Sequence, residues 1–169
     1  MWGERNGEVI DKMIHHAADT QELIYQMQTT HLFGVSTDND FRTDSRRAAI
    51  EWLIGKYESC GIDVDSLPAE VEESPHSCPD ISILRAGRRL SVDFLRTLAV
   101  AHDIRRYLQQ SRPPLHVVEL GSGLGHLART LRVFGVSKSH ILIDLPESLI
   151  FSYAFLMLNF PDASVVFIT

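Results

Sequence analysis

The sequence predicts an α/β fold in which a helical N-terminal region, residues 1–112, precedes the first half of a doubly wound sheet, residues 113–169. Three observations support this prediction. Apolar residues recur with the 3.6-residue helical period through the first region. In the second region, short runs of Val, Ile and Leu alternate with helical patterns. A glycine-rich turn joins the first of these runs to the helix that follows it.

Two helices are predicted in the first part of the N-terminal region. Asp44 or Ser45 can cap the second of them, which ends near Ser59, and Gly61 just beyond supplies a stop signal. The first helix is long and amphipathic, because its apolar residues share one helical face. That stripe consists of Ile10, Met13, Ile14, Ala17, Ile24 and Met27.

A connection and a third helix complete the N-terminal region. Residues 63–80 contain three prolines and an acidic cluster, and we expect them to form a surface connection with at most one short helix. Ser91 is a plausible N-cap for the third helix, and Asp93 in its first turn suits the helix dipole. Its apolar face comprises Phe94, Leu95, Leu98, Ala101, Ile104 and Leu108.

The C-terminal region has the order β-α-β-α-β. Its first strand should be buried on both faces, as strands of parallel sheets are. Gly135 should stop the helix after the glycine turn, and Pro146 should open the next one. The predicted strands are Leu115–Leu120, His140–Leu145 and Ala163–Ile168.

The predicted sheet is incomplete. In a doubly wound sheet the first strand lies in the middle, with a fourth strand on its other side. The sequence stops at Thr169, after the third predicted strand, so we expect a strand edge and an apolar face to be uncovered unless a partner or the N-terminal helices cover them. The chain is therefore expected to be the N-terminal portion of a longer protein or a truncated variant.

Composition excludes several classes of function. The net charge of −6 gives no reason to expect a nucleic-acid partner, and Leu149–Phe160 is too short and too interrupted to span a membrane. Cys60 and Cys78 do not form a disulfide framework, and no secretory signal is present, so a cytoplasmic location is expected. The eight histidines lack metal-ligand spacing, and no metal site is predicted.

The glycine turn, Gly121–Gly125, points to a ligand. Missing side chains let backbone amides approach a ligand, and the helix that follows presents free N–H groups. Dinucleotides use such turns through their pyrophosphate, and S-adenosylmethionine uses them through its amino-acid part and ribose. A dinucleotide fingerprint starting at Gly121 would need a small residue where His126 stands. Glu119, two residues before the turn, suits a cationic ligand better than a pyrophosphate.

Asp144 is the acid expected at the end of the second strand. It lies 23 residues beyond Gly121, where doubly wound folds place a carboxylate that binds both ribose hydroxyls. An ionised carboxylate accepts both hydrogen bonds well. The alternative is that Asp144 is an N-cap ahead of Pro146, a role compatible with ligand binding.

The run Val-Val-Glu-Leu-Gly-Ser-Gly-Leu-Gly, residues 117–125, resembles motif I of the class I S-adenosylmethionine-dependent methyltransferases, which have a Rossmann-like fold. Asp-Leu-Pro-Glu-x-Leu from residue 144, followed by Asn-Phe-Pro from residue 159, is similar to a family of sugar O-methyltransferases. The likeness covers about residues 88–169. At its start, the resemblance implies that the stretch 87–91 is a segment that closes over the cofactor, and the alternative is that Arg88 and Arg89 are surface charges.

This resemblance implies an S-adenosylmethionine-dependent O-methyltransferase that acts on a sugar or another small hydroxylated molecule. In the superfamily the acceptor-binding and catalytic residues come mostly from later strands, so no catalytic base is identified in this chain. The residues implied to bind the cofactor are Glu119, Gly121, Ser122, Gly123, Gly125 and Asp144.

Two alternatives to this function stay open. An NAD(P)-dependent oxidoreductase shares the same half-fold, although Glu119 and His126 count against it. A catalytically inactive fragment that works as an interaction module, forming a homodimer through residues 1–112, fits the early stop of the sequence.

Overall fold

The structure is a computed structural model that describes residues 43–77, 82–108 and 115–164. Within those ranges it is a mixed α/β structure with four helices and two two-stranded sheets. The predicted helix over residues 10–27 and the predicted strand residues 165–168 lie outside them. The elements are α1 (Thr43–Ser59), β1 (Ser82–Arg85), β2 (Arg88–Ser91), α2 (Val92–Leu108), β3 (Leu115–Leu120), α3 (His126–Val133), β4 (Ser137–Ile143) and α4 (Pro146–Asn159).

The predicted helix ends at Gly61 and Gly135 are confirmed, whereas the predicted cap at Asp44 or Ser45 is wrong, because α1 begins at Thr43 and includes both residues. After α1, Gly61 has a φ of +82° and the Ile62 N–H donates to the Tyr57 carbonyl at 2.9 Å. After α3, Gly135 has a φ of +67° and the Val136 N–H donates to the Leu131 carbonyl at 2.9 Å. Both are Schellman motifs, in which a left-handed residue lets late amides satisfy the last helix carbonyls.

Ser91 caps the third predicted helix, α2, as expected. Its Oγ accepts a hydrogen bond from the Phe94 N–H at 3.1 Å, the bond that an N-cap side chain makes to the third helical residue. Phe94, Leu95 and Leu98 are buried, and with α1 and the connection after it they form one hydrophobic core.

A hairpin precedes α2 that the sequence pattern did not predict. Strands β1 and β2 pair antiparallel, with Arg85 opposite Arg88. Ala86 and Gly87 between them both have positive φ, +48° and +78°, as a two-residue hairpin turn requires. Four-residue strands without alternating polarity leave little periodic signal, so the sequence pattern does not indicate the hairpin.

The connection after α1 is only partly a surface segment: among its described residues, 63–77, no helix forms and most side chains are exposed, but several are buried. Val64 and Val71 are buried in the hydrophobic core beside α1 and α2. Glu73, Ser74 and Ser77 are buried as well, and they hydrogen-bond to one another or to other elements. Prolines and acids suggested solvent exposure, whereas the loop packs apolar residues inward and satisfies its polar groups internally.

Strands β3 and β4 form a parallel pair joined through α3. Their register sets Val118 opposite Ile141 and Leu120 opposite Ile143. Two parallel strands and the helix α4 that follows establish a β-α-β-α arrangement. The third strand of the predicted doubly wound half-sheet lies mostly in residues that the structure does not describe.

The parallel pair has one covered face and one exposed face. On the covered face, Val117 packs against the small core of Ala101, Leu131 and Val136. The prediction that β3 is buried on both faces is wrong for the described chain, because its other side is solvent-exposed. The expectation of an uncovered apolar face is confirmed there. We name this side the outer face, formed by Val118, Leu120, Ile141 and Ile143.

Among the residues described, no helix is both long and apolar enough to cross a bilayer.

Candidate functional site

The glycine turn and Asp144 meet at the carboxyl ends of β3 and β4. The Gly121 N–H donates to the Ile143 carbonyl at 2.9 Å and so joins the start of the turn to the end of β4. Asp144 follows immediately, and its Oδ2 accepts the Gly123 N–H at 2.8 Å. The Ser122 hydroxyl is 3.4 Å from the same oxygen. We name the glycine turn together with Asp144 the turn–acid site.

The three glycines of the turn occupy the left-handed region. Gly121, Gly123 and Gly125 have φ values of +74°, +52° and +87°. Side chains are strained in this region, so the path of the turn requires glycine there. At Gly125 space is also restricted, since a Cβ would lie 3.3 Å from Cγ of Leu156 on α4. The backbone conformation therefore explains why glycine occupies the three turn positions that the sequence predicted for the site.

Asp144 does not act as the N-cap of α4. That place belongs to Leu145, and α4 begins at Pro146 without a side-chain cap. The Asp144 Oδ1 instead accepts the N–H of Leu145 at 2.8 Å. Each carboxylate oxygen thus holds one backbone amide. Since a carboxylate has about four acceptor positions, it keeps capacity for ligand hydroxyls.

Glu119 is the next-to-last residue of β3, close to the turn, but its side chain is directed away from the turn. Its carboxylate faces the covered side of the sheet, where Oε2 is 3.3 Å from Nε2 of His140 on β4. Neither atom has a hydrogen-bond partner among the described residues, so the contact lacks the alignment of a hydrogen bond. Hydrogen bonds join Ser122, Gly123 and Asp144, and none joins Glu119 to them. Its role in cofactor binding stays a prediction.

His126 is the first residue of α3, and its ring packs against α4. The ring centroid lies 4.8 Å from that of Phe155 in an edge-on arrangement. Burial lowers the pKa of His126 to about 4, helped by the nearby Arg129 and opposed by Asp93. The imidazole is therefore neutral at pH 7. A dinucleotide fingerprint has glycine or alanine at this position, where it allows close packing of helix and strand.

A buried polar network beside the site was not predicted from the sequence. Arg129 on α3 donates from Nε to Oδ1 of Asn159 at 2.7 Å and from Nη1 to the Glu72 carbonyl at 2.8 Å. The Ser74 hydroxyl donates to the same Asn159 oxygen at 2.7 Å. This network joins the loop after α1 to α3 and to the end of α4. The sequence gives no local signal of it, because Arg129 binds a backbone carbonyl 57 residues away.

Arg88 also has a structural rather than a ligand-facing role. It donates to the carbonyls of Leu67, Pro68 and Val71, and so fastens the preceding loop to β2. The structure thus gives the stretch 87–91 a place in a hairpin, and closure of that stretch over a cofactor stays a prediction.

Glu73 is a buried carboxylate in this loop. It is 6% exposed, and its Oε1 accepts the Ser77 and Ser91 hydroxyls at 2.8 and 2.7 Å. Its Oε2 is buried without a hydrogen bond from any described residue. Burial raises the pKa of Glu73 despite the two hydroxyls, and Asp93 raises it further while Arg89 lowers it.

A raised pKa makes the Glu73 contribution to stability pH-dependent. That contribution is fully present below the usual carboxyl pKa of 4.5 and is lost as the pH rises through the folded-state value. We expect Glu73→Gln, whose amide oxygen can keep both hydroxyl bonds, to lose less stability than wild type between pH 4.5 and 7.5. Urea unfolding at several pH values measures this difference.

The matched control is Glu72→Gln, on the exposed neighbouring side chain, whose backbone carbonyl still receives Arg129. Its pH profile should follow wild type. The pH dependence that His126 gives to the free energy of unfolding is the same in wild type and in both variants, so it cancels in the comparison. Identical slopes for Glu73→Gln and wild type would contradict a buried, destabilised charge at position 73.

Comparison with known proteins adds no assignment, since no protein family, curated protein or solved structure matches the chain. Within the described ranges, no group of three or more His, Cys, Asp or Glu side chains is placed to hold a metal ion.

Proposed function

We propose that the turn–acid site binds S-adenosylmethionine, and that the chain supplies the cofactor-binding part of an O-methyltransferase for a sugar or another small hydroxylated molecule. The contact between the Gly123 N–H and Asp144 Oδ2, 2.8 Å long, carries the proposal. It holds a carboxylate across a glycine turn at the ends of adjacent parallel strands. Nucleoside ligands of α/β sheets bind at that edge.

The ribose is the group that Asp144 suits best. Neighbouring hydroxyls of a ribose can both donate to one carboxylate, and charge-assisted bonds of this kind are strong. Asp144 is partly exposed, so a ligand can reach it. The left-handed turn beside it brings backbone rather than side chains toward the ligand.

The residue at the third fingerprint position favours a methyl donor over a nicotinamide dinucleotide. The dinucleotide fold keeps glycine or alanine at the third fingerprint position so that helix and strand pack closely. Here that position is His126, and its ring occupies the contact between α3 and α4. Asp144 suits the ribose of either ligand, so the preference for a methyl donor rests on His126.

Calorimetric titration of the 169-residue chain with S-adenosylhomocysteine, NAD and NADP tests the proposal. We expect saturable binding of S-adenosylhomocysteine and no comparable heat from either dinucleotide. Preference for NAD or NADP would replace the proposal with an oxidoreductase half-domain. Absence of binding by all three would contradict any nucleoside site and favour an interaction module.

A further inference from the structure

A serine on α4, Ser152, contacts the glycine turn on the side that faces this helix. Ser152 is 1% exposed, and its Oγ lies 2.6 Å from the Gly123 carbonyl oxygen. The same Oγ is 3.0 Å from the Ser148 carbonyl and 3.4 Å from the Ser122 hydroxyl. A serine hydroxyl has one proton and donates to one carbonyl at a time. The shorter distance favours the bond to Gly123.

Gly123 is therefore held on both sides of its Cα. Its N–H donates to Asp144 Oδ2 at 2.8 Å, and its carbonyl accepts from Ser152 at 2.6 Å. These groups belong to two successive planar peptide units, so the two bonds together restrict both backbone dihedrals of Gly123. Glycine has the largest conformational freedom to lose, and its φ here is +52°. Without such restraints this residue would sample many other conformations.

The bond from Ser152 also sets the direction of the next amide. In a trans peptide the carbonyl and the following N–H point in opposite directions. Because the Gly123 carbonyl points at α4, the Leu124 N–H points away from that helix. A rotated peptide would reverse this and present a carbonyl oxygen instead. The hydroxyl thus decides whether the turn offers a donor or an acceptor on that side.

Close packing keeps Ser152 in place. A Cβ on Gly125 would lie 3.6 Å from Cβ of Ser152 and 3.3 Å from Cγ of Leu156, so the turn rests directly on this face of α4. The helix itself begins at Pro146, two residues after Asp144. Asp144 and Ser152 therefore belong to one continuous segment of the chain, which binds Gly123 at both its N–H and its carbonyl.

We infer that Ser152 is a positioning residue of the turn–acid site, whose hydroxyl fixes Gly123 in its left-handed conformation and so prepares the turn for its ligand. The identity of that ligand rests on the proposed function. The restraint on Gly123 does not, and it is measurable in the ligand-free chain.

Ser152→Ala tests the inference in two measurements on the full chain. Amide hydrogen exchange followed by NMR should show the Gly123 N–H exchanging at least about 10-fold faster than in wild type, because its backbone is released. Calorimetry with S-adenosylhomocysteine should show a loss of about 3- to 10-fold in affinity, since the free turn must be ordered on binding. Ser148→Ala is the matched control. It removes a buried hydroxyl one turn earlier on the same helix and keeps the backbone carbonyl.

Ser152→Thr separates the hydroxyl from packing. It retains the donor, so Gly123 exchange should return toward the wild-type rate. Wild-type exchange at Gly123 in the alanine variant, or equal acceleration in the alanine, threonine and Ser148→Ala variants, would overturn the inference. If the wild-type chain binds no S-adenosylhomocysteine, the proposed function fails, while accelerated Gly123 exchange in Ser152→Ala alone still supports the positioning role.

Discussion

Leu131→Ala is expected to destabilise the chain by about 2–5 kcal/mol, the usual cost of removing a fully buried leucine side chain. Leu131 on α3 is 0% exposed and packs between α2 and the covered face of the parallel strands. The loss combines the transfer free energy of the deleted carbons with the cavity that remains. Urea unfolding measures it as a shift in midpoint at constant slope.

Leu120→Ala is the matched comparison, because it makes the same chemical change on the outer face. Leu120 is 77% exposed, so we expect its truncation to change the free energy of unfolding by no more than about 0.5 kcal/mol. A cost close to that of Leu131→Ala would show that the outer face is covered in solution. A small cost for Leu131→Ala would contradict the packing of α3 on the sheet.

Asp144→Ala has the largest expected effect on ligand binding. We expect the affinity for S-adenosylhomocysteine to fall by about 1–3 kcal/mol, which is roughly 5- to 150-fold, as for lost hydrogen bonds to a charged group. Under the proposed function, the substitution removes the acceptor for ribose hydroxyls. It also removes the carboxylate that accepts the Gly123 N–H, so the turn loses a restraint. Calorimetric titration gives the affinity directly.

Asp162→Ala controls for the loss of one negative charge. Asp162 is exposed in the turn after α4, and its substitution should leave the affinity within about twofold of wild type, since long-range effects of exposed charges are screened. Circular dichroism establishes that both variants are folded. An unchanged affinity in Asp144→Ala would remove Asp144 from the site.

Several helix ends could be predicted from the sequence, because residues close to them in the chain determine where the helix begins or ends. Gly61 and Gly135 end helices through left-handed caps, and Ser91 begins one through a side-chain bond. Those features depend on a few neighbouring residues. The boundary of β4 was less accurate, because Ser137–His140 is polar, while its backbone still pairs with β3. Partner strands, rather than propensity, decide such residues.

Contacts between residues far apart in the chain were not predictable in the same way. Glu73 looked like a solvated acid, and its burial depends on Ser77 together with Ser91 on another element. Ser152 lies in α4, a helix that is apolar on nearly all sides. A single small hydroxyl in such a helix gives no periodic signal that would mark Ser152 as a site residue. For the site, the glycines and Asp144 carried a backbone or charge signature. Ser152, whose hydroxyl donates to the Gly123 carbonyl, carried no such signature.

The spacing of these contacts along the chain has a consequence for folding order. The bonds from Gly123 to Asp144 and from Ser152 to Gly123 close loops of 21 and 29 residues. The bonds from Arg129 to Glu72 and from Ser74 to Asn159 close loops of 57 and 85. Loop-closure entropy rises with length, and chains rich in short-range contacts fold faster. We therefore expect the turn and its acid to assemble before the loop after α1 docks onto α3 and the end of α4.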